Sequence, residues 1–385
     1  MTLPLAGLTI VSLEQAVAAP TASRHLADWG ARVIKIERPE GGDFARGYDH
    51  AMHGVSSQFV WANRSKESLA VDLKSPLGER VLARLLPKAD VFVQNLAPGA
   101  AAKLGLDAQS LVARFPRLIA CDISGYGSSG PYAHKKAYDL LVQCETGFPS
   151  INGTPESEAK CGLSIVDIAT GMYAIQGILM GLLRRERTGV GMAFEVSLFD
   201  SMAEWMSYPA YYTRDGGVPL ARAGIRHATI APYGPFVAGD GKTVFFGIQN
   251  EREWQTFCAK VLQEPALAAD PRFSSNLARL ANREALEVRI TAGFAGWTSD
   301  EVLARLEAAA IANARLNDVR AFLEHPQLHA RGRVTEVGSE GGAQTVFLPA
   351  ITIPGVAPVM GAVPALGAHT GAILAELELD EGAVP

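Results

Sequence analysis

Cysteine is scarce in this chain: four residues in 385, Cys121, Cys144, Cys161 and Cys258, widely spaced and never in a C-x-x-C pair. That argues against a disulfide scaffold and a cysteine zinc site, and it fits reduced thiols in a cytoplasmic protein. Blocks of one charge are also missing, and the formal net charge is −5. No nucleic-acid footprint or membrane-surface segment is therefore expected. The sequence has no G-x-S-x-G elbow and no P-loop, and its first strand-to-helix turn, "EQAVAAP", has no glycine. A dinucleotide fingerprint needs three glycines there to let a pyrophosphate approach, so a nicotinamide dehydrogenase is not expected. A literal G-x-G-x-x-G at Gly125, Gly127 and Gly130 runs into Pro131 and a polar loop instead of opening a helix. Tyr132 and Lys136, spaced as Y-x-x-x-K, stand in that same loop and lack the turn that would make them a dehydrogenase pair.

Two apolar stretches need separate readings. "LPLAGLTIVSLEQAVAAP" has no Lys or Arg before it and is interrupted by Glu14, so it reads as a strand and a helix start, not a cleaved signal. Residues 168–183 hold 16 largely apolar positions with Gln176 and three glycines. That is short of the ~20 that span a bilayer, and a buried helix is expected. His325 and His329 stand four apart, but Pro326 lies between them and no third ligand is evident, so both read as surface histidines and no metal site is expected.

The chain itself is 48% hydrophobic and 19% charged, enough for two or three domain-sized cores. Its first half alternates strand and helix patterns: "LTIVSL", "TASRHLADWG", "RVIKIE", "SLAVDL", "SPLGERVLARLLPKA", "DVFVQNL" and "LIACDIS". Such alternation predicts an α/β fold, a parallel sheet covered on both faces with its crevice at the strand C-terminal ends. A long helix is expected from Ser164 to about Arg185, then "AFEVSL" and a helix containing "FDSMAEWMSY". The linker "TRDGGVPLARAG" leads to the hairpin "YGPFVAGDGKTVFFGI" and several helices, a second, smaller α+β domain. The tail returns to strand pattern and ends in a helix from about His369.

One carboxylate, Asp167, lies near the start of the apolar run. Ser164 and Asp167 have the S-x-x-D spacing of a capping box, and spacing alone favours a cap. Free N–H groups there would bias the acid toward its ionised form, available as a nucleophile at neutral pH. Lys35, Arg38, Arg46, Lys66, Lys74 and Lys103 recur near strand ends; ordinary solvated charge explains them, and convergence on one crevice would let them bind a polyanion such as a nucleotide phosphate.

Taken in order, "PLAGLTIVSLEQAVAAP", "LADWGARVIKIERPEGGDFARG", "NRSKESLAVDLKSPLGERV", "ADVFVQNLAPGAAAKLGL", "ISGYGSSGPYA", "AYDLLVQCETG", "VDIATGMYA", "DPRFSSNLARLANR", "HPQLHARGRVTEV" and "LGAHT" resemble the family III CoA-transferases over nearly the whole chain. The resemblance implies a Rossmann-type large domain built from both chain ends, a small domain, and an interlocked homodimer. It places the N-terminal part of the large domain at 1–212, a linker at 213–224, the small domain at 225–322 and the C-terminal return at 323–385. It makes Asp167 the nucleophile of a CoA transfer through aspartyl-anhydride and aspartyl-CoA thioester intermediates, with acyl-CoA and a carboxylic acid as substrates and no tightly bound cofactor. The CoA site carried over is Arg38, Val71, Lys74, Asn95 and Lys103, with Lys136 and Tyr138 lining the same cleft. Lys103 stands where a well-known member has Arg, which loses bidentate geometry. Val17 replaces a Gln near the reacting acyl group of formyl-CoA transferase, against formyl-CoA or oxalate as substrates. The family's mobile Gly-rich loop corresponds to "ARAGIRHATIAPYG", which has only Gly224 before His227.

"HATIAPYGPF" and "IQNEREW" are similar to segments of members acting on small dicarboxylic or branched acids, of succinate, mesaconate, itaconate, malate or citramalate type. Arg226, His227 and Arg252 are the expected substrate residues, the arginines able to pair with a second carboxylate. Two alternatives stand beside this reading. An α-methylacyl-CoA racemase of the same fold would carry His-Asp where this chain has Tyr138-Asp139, and Tyr is a poor base at neutral pH. A non-catalytic CoA- or nucleotide-binding protein would lack covalent chemistry at Asp167.

Overall fold

The structure, a computed structural model, describes residues 2–380. They form two compact units: the first takes in the chain up to Gly147, Cys161–Tyr208 and the chain from Gln327, and the second takes Phe148–Lys160 and Pro209–Pro326.

In the first unit, short β-branched runs form β1 (Thr9–Leu13), β2 (Arg32–Glu37), β3 (Glu67–Ala70), β4 (Val91–Gln94), β5 (Ile119–Ser124) and β6 (Met192–Ser197). All neighbours pair parallel in the order β3-β2-β1-β4-β5-β6. Chain order reverses between β1 and β4, which opens a crevice beyond their C-terminal ends. Four consecutive residues of β1 and all of β4 are buried, as strands covered on both faces must be.

The helices of this unit are α1 (Ala18–Asp28), α2 (Ser57–Asn63), α3 (Pro76–Leu85), α4 (Ala100–Lys103), α5 (Ala108–Arg114), α6 (Asp139–Glu145), α7 (Ile165–Thr188) and α8 (Leu198–Trp205). Helix α3 starts where Ser75 accepts the N–H of Gly78 and Pro76 fills the first position. Its Val81 and Leu85 pack with Phe92, Ala120 and Leu111 over one sheet face, joined there by Ile373 and Leu374 from near the C-terminus. Val11 and Ala120 point into that core, so alternation sends Ile10 and Ile119 to the other face. There α7 packs against α1, β5 and β6.

Small residues let α7 come close. A Cβ on Gly171 would meet Thr21 Oγ1 at 2.5 Å, one on Gly177 the Phe194 ring at 2.2 Å, and one on Gly181 the Ile119 side chain at 2.8 Å. The helix runs 24 residues, longer than the apolar stretch suggested, and by length and composition it could cross a membrane. Its docking on α1 and the sheet is that of a core helix.

The longer piece of the second unit begins inside α9 (Ser207–Gly216), a helix that occupies the start of the expected linker. "FDSMAEWMSY" is thus split between α8 and α9 at Met206. Strands β7 (Tyr233–Val237) and β8 (Thr243–Gly247) form the hairpin, closed by Ala238 N–H donating to Lys242 O, and β9 (Asn313–Arg315) adds to β8. Helices α10 (Glu251–Thr256), α11 (Asn276–Ala281), α12 (Arg283–Phe294), α13 (Ser299–Ala308) and α14 (Val319–Leu323) complete the unit, with Phe236, Phe246, Phe257, Phe294 and Trp254 in its core. Phe148–Lys160, expected with the large domain, groups here because Gly224 N–H donates to Gly153 O (2.8 Å) and Arg222 Nε to Thr154 O (2.8 Å).

The chain then re-enters the first unit through α15 (Pro326–Ala330), the hairpin β10 (Val334–Ser339) and β11 (Gly342–Phe347), and α16 (Thr370–Glu376). Ser68 N–H donates to His369 Nδ1 (3.2 Å) and Ala70 N–H to Thr370 Oγ1 (2.9 Å), tying the tail to β3. His325 precedes α15 and His329 lies on it, so the two share no helix.

Candidate active site

Beyond the ends of β1 to β4 lies a cleft of about 560 Å³. Leu13 and Gln15 line it from the end of β1 and the turn after it, Ile36 and Arg38 from the end of β2 and just beyond, Val71 and Lys74 from the segment after β3, and Leu96, Ala100 and Leu104 from the segment after β4. Arg38 and Lys74 are exposed and Val71 is buried, its N–H held by Glu37 O at 3.0 Å. Exposed cations together with apolar lining residues suit a nucleotide phosphate and its base.

Asn95 is not a free ligand. Its Oδ1 accepts the Gln15 N–H and its Nδ2 donates to Gln15 O, both at 2.8 Å. It fixes the β1–α1 turn, in which Ala16 has φ +63°, a conformation L-residues rarely adopt. Lys103 ends α4 beside the lining residues and is exposed. Lys136 and Tyr138 are exposed in the segment before α6 and do not line this cleft.

Three of the six cations read from the sequence do not face solvent. Lys35 Nζ donates to Asp43 Oδ2 at 2.7 Å and to Asn63 Oδ1, Lys66 Nζ to Glu14 Oε1 at 2.5 Å, and Arg46 grips both oxygens of Glu37. Lys35, Lys66 and Glu14 are buried completely or nearly so. Burial pushes the Glu14 carboxyl up, but Lys66 and Lys35 outweigh it and hold it below the ordinary value. Burial likewise pushes Lys35 down, and Glu14, Asp43 and Glu37 more than restore it. Glu14, Glu37 and Asp43 of this set line the cleft, as do the exposed cations Arg38 and Lys74, with Lys103 exposed one residue before the lining Leu104.

Asp167 is in the first turn of α7, half-buried, and the capping box does not form: the Ser164 side chain makes no cap bond. The N–H groups of Val166 and Asp167 donate instead to Asp139 Oδ2, at 2.8 and 3.2 Å. Among the described residues no hydrogen bond or ion pair takes up the Asp167 carboxylate itself. Burial first, and then the charge of Asp139, pushes its pKa to about 7 from an ordinary 3.8. The expected bias toward the ionised form is thereby reversed by burial and by the Asp139 charge, while two of the helix N–H groups serve that other acid.

Tyr48, after the Gly-rich loop that follows β2, was not singled out from the sequence. Burial, together with Asp43, Asp167 and Tyr138 nearby, pushes its phenol up to about 12, so it lies near both Asp167 and a cleft-lining acid. Nothing in the spacing of "FARGYDH" marks it.

The expected substrate residues lie in the second unit. Arg226 Nε donates to Glu287 Oε1 at 2.9 Å, so its guanidinium already has a carboxylate partner. His227 stacks on Tyr233 with ring centroids 5.2 Å apart, accepts the Thr229 N–H at Nδ1, and is held below its ordinary pKa by burial and Arg283. Arg252 is exposed on α10. The segment expected to match a mobile loop is bolted down. Arg283 donates to His227 O at 2.8 Å, Asn276 to Thr229 O at 2.9 Å and Arg279 to Ala231 O at 2.7 Å.

Compared with known proteins, residues 5–370 match the sequence model of a family described as CoA-transferase family III. The chain belongs to that family. This CoA-transferase is 33% identical over 396 residues to a succinate–glutarate CoA-transferase of Agrobacterium fabrum, covering 98% of this chain and 96% of that protein. It is 33% identical over 392 residues to the succinyl-CoA:glutarate CoA-transferase of Mus musculus, covering 99% and 88%. Among solved structures it resembles a CAIB/BAIF family protein from Brucella suis, with a TM-score of 0.84 and 32% identity over 98% of this chain and 100% of that one. The six-stranded parallel sheet is the architecture that this similarity covers.

Proposed function

We propose that this CoA-transferase moves CoA from a small acyl-CoA, with succinyl-CoA as the first donor to try, to a small dicarboxylic or branched acid. Asp167 is the nucleophile. The observation that carries the reading is this one carboxylate, at the head of a core helix, partly accessible, unpaired and more basic than an ordinary aspartate. Names of similar relatives that carry succinate and glutarate support the substrate class.

In the first step an Asp167 oxygen attacks the thioester carbonyl and the C–S bond breaks, giving a mixed anhydride and CoA thiolate. The thiolate then attacks Asp167 Cγ, and the anhydride C–O bond breaks to release the donor acid and leave an aspartyl-CoA thioester. The acceptor carboxylate attacks that thioester, expelling thiolate, which takes the acceptor acyl group from the second anhydride and restores Asp167. Thioester energy is exchanged throughout, so ATP has no part. Each tetrahedral step builds an oxyanion, and donors other than the first-turn N–H groups of α7 must meet it, since those are taken. Arg38 and Lys74 hold the nucleotide end of CoA at the cleft, with Lys103 beside them, Asn95 shapes its turn, and Lys136 and Tyr138 contact the substrate arm. The chain works in the cytoplasm as an interlocked homodimer, with no tightly bound cofactor.

The test is intact-protein mass after incubation with succinyl-CoA. A covalent adduct is expected on the wild type and none on Asp167→Asn; an adduct surviving that substitution, or none on the wild type, rejects the reading. A panel of free acids should then show preference for small dicarboxylates. Preference for aromatic or long aliphatic acids removes the substrate class.

A further inference from the structure

The start of α7 has an unusual arrangement. A helix leaves its first N–H groups without helical partners, and a side chain at the N-cap normally takes them up. Here Ile165 N–H turns to Leu163 O (2.9 Å) and Ile168 N–H to Ser164 O (3.0 Å), while the two between them donate to one oxygen of Asp139, imported from the first position of α6. The other oxygen of Asp139 accepts from Gln143 Nε2 at 2.5 Å, one turn along α6. Gln143 is fully buried, and its Oε1 accepts the Cys161 N–H at 3.0 Å. Both ends of the Asp139 carboxylate are clamped, next to the nucleophile.

We propose that Asp139 is a positioning residue of the transfer reaction: by occupying the first-turn N–H groups of α7 and placing its own charge there, it leaves the Asp167 carboxylate without a stabilising partner. The proposal rests on Asp167 being the nucleophile. Two N–H groups that would stabilise an ionised Asp167 are neutralised, and a like charge is added. Tyr48, from the loop after β2, also lies near Asp167, and Tyr138 at the head of α6 lies near Tyr48. Asp167 is thereby the stronger nucleophile toward a thioester.

The test compares pH profiles of kcat/KM for the wild type and Asp139→Asn, which keeps an oxygen acceptor for the two N–H groups and loses the charge. On the wild type the acid limb should fall at about 7. On Asp139→Asn it should move down by about one pH unit or more, while the plateau above it falls severalfold because a less basic carboxylate attacks more slowly. The two profiles cross, which no uniform damage to the fold produces. A loss equal at every pH, with the limb in place, reduces Asp139 to a structural cap and overturns the proposal. Should that variant not fold, a ¹³C titration of labelled aspartate in the wild type replaces it, with the Asp167 signal identified by its loss in Asp167→Asn. The Asp167 signal should titrate at about 7; a transition in the ordinary carboxylate range overturns the proposal. Adduct formation by mass reports separately on the nucleophile, and if the wild type forms none, both readings fall.

Discussion

Asp167 was legible from the sequence as the lone acid in an apolar run, yet its charge state was not. The capping box that spacing suggested is replaced by Asp139, twenty-eight residues away, and no local pattern carries that contact. The same limit applies to the cations. Arg38 and Lys74 were found at the cleft, but Lys35, Arg46 and Lys66 lie in ion pairs that only the folded chain assembles. Tyr48 was missed for the same reason. At this scale one prediction concerns pH and stability. Asp167 has a folded pKa of about 7, above its ordinary 3.8, so the folded state keeps a proton that the unfolded chain gives up between those values. Its contribution is fully present at low pH and is lost as pH rises through about 7. Asp167→Asn lacks that loss. Its Tm should match the wild type near pH 4 and exceed it above neutrality by on the order of a few degrees, as scanning calorimetry would show.

At the scale of elements the sequence was more informative. All six strands of the large sheet, helices α1, α3 and α7, and the β7–β8 hairpin fall where periodicity and turn residues put them, because each buries a regular apolar face. The failures lie where helix propensity meets tertiary contacts: α9 runs through residues read as linker, and Phe148–Lys160 is drawn to the second unit by backbone bonds to the segment around Arg222. The glycines of α7 gave a clear signal, and they carry a prediction. Gly177→Ala sets a methyl 2.2 Å from the Phe194 ring on β6. It should destabilise the fold by about 1–3 kcal/mol in urea unfolding, and Phe194→Leu in the same chain should recover part of that. Equal loss with and without the second substitution means that the clash is absorbed elsewhere.

For the whole molecule, α7 does two things. One face fills the groove between α1 and the sheet, while Met172, Leu179, Met180 and Leu183 stand exposed on the same helix, with Trp205 exposed on α8. Only 44% of its most apolar window is buried. An apolar surface of that kind asks for cover, and in the proposed homodimer a second copy provides it. Light scattering should give twice the 40.9 kDa of one chain. The double substitution Met180→Lys/Leu183→Lys should shift the mass toward one chain; an unchanged dimer places the interface elsewhere.

The buried charges at the cleft carry a consequence for how such a chain can change over generations. Glu14, Lys35, Asp43 and Lys66 are each neutralised by another member of the set, so replacing any one strands its neighbour in a medium that tolerates no lone ion. Sequence drift at these positions must come in compensating steps, whereas the exposed Arg38, Lys74 and Lys103 are open to one-at-a-time replacement without endangering the fold.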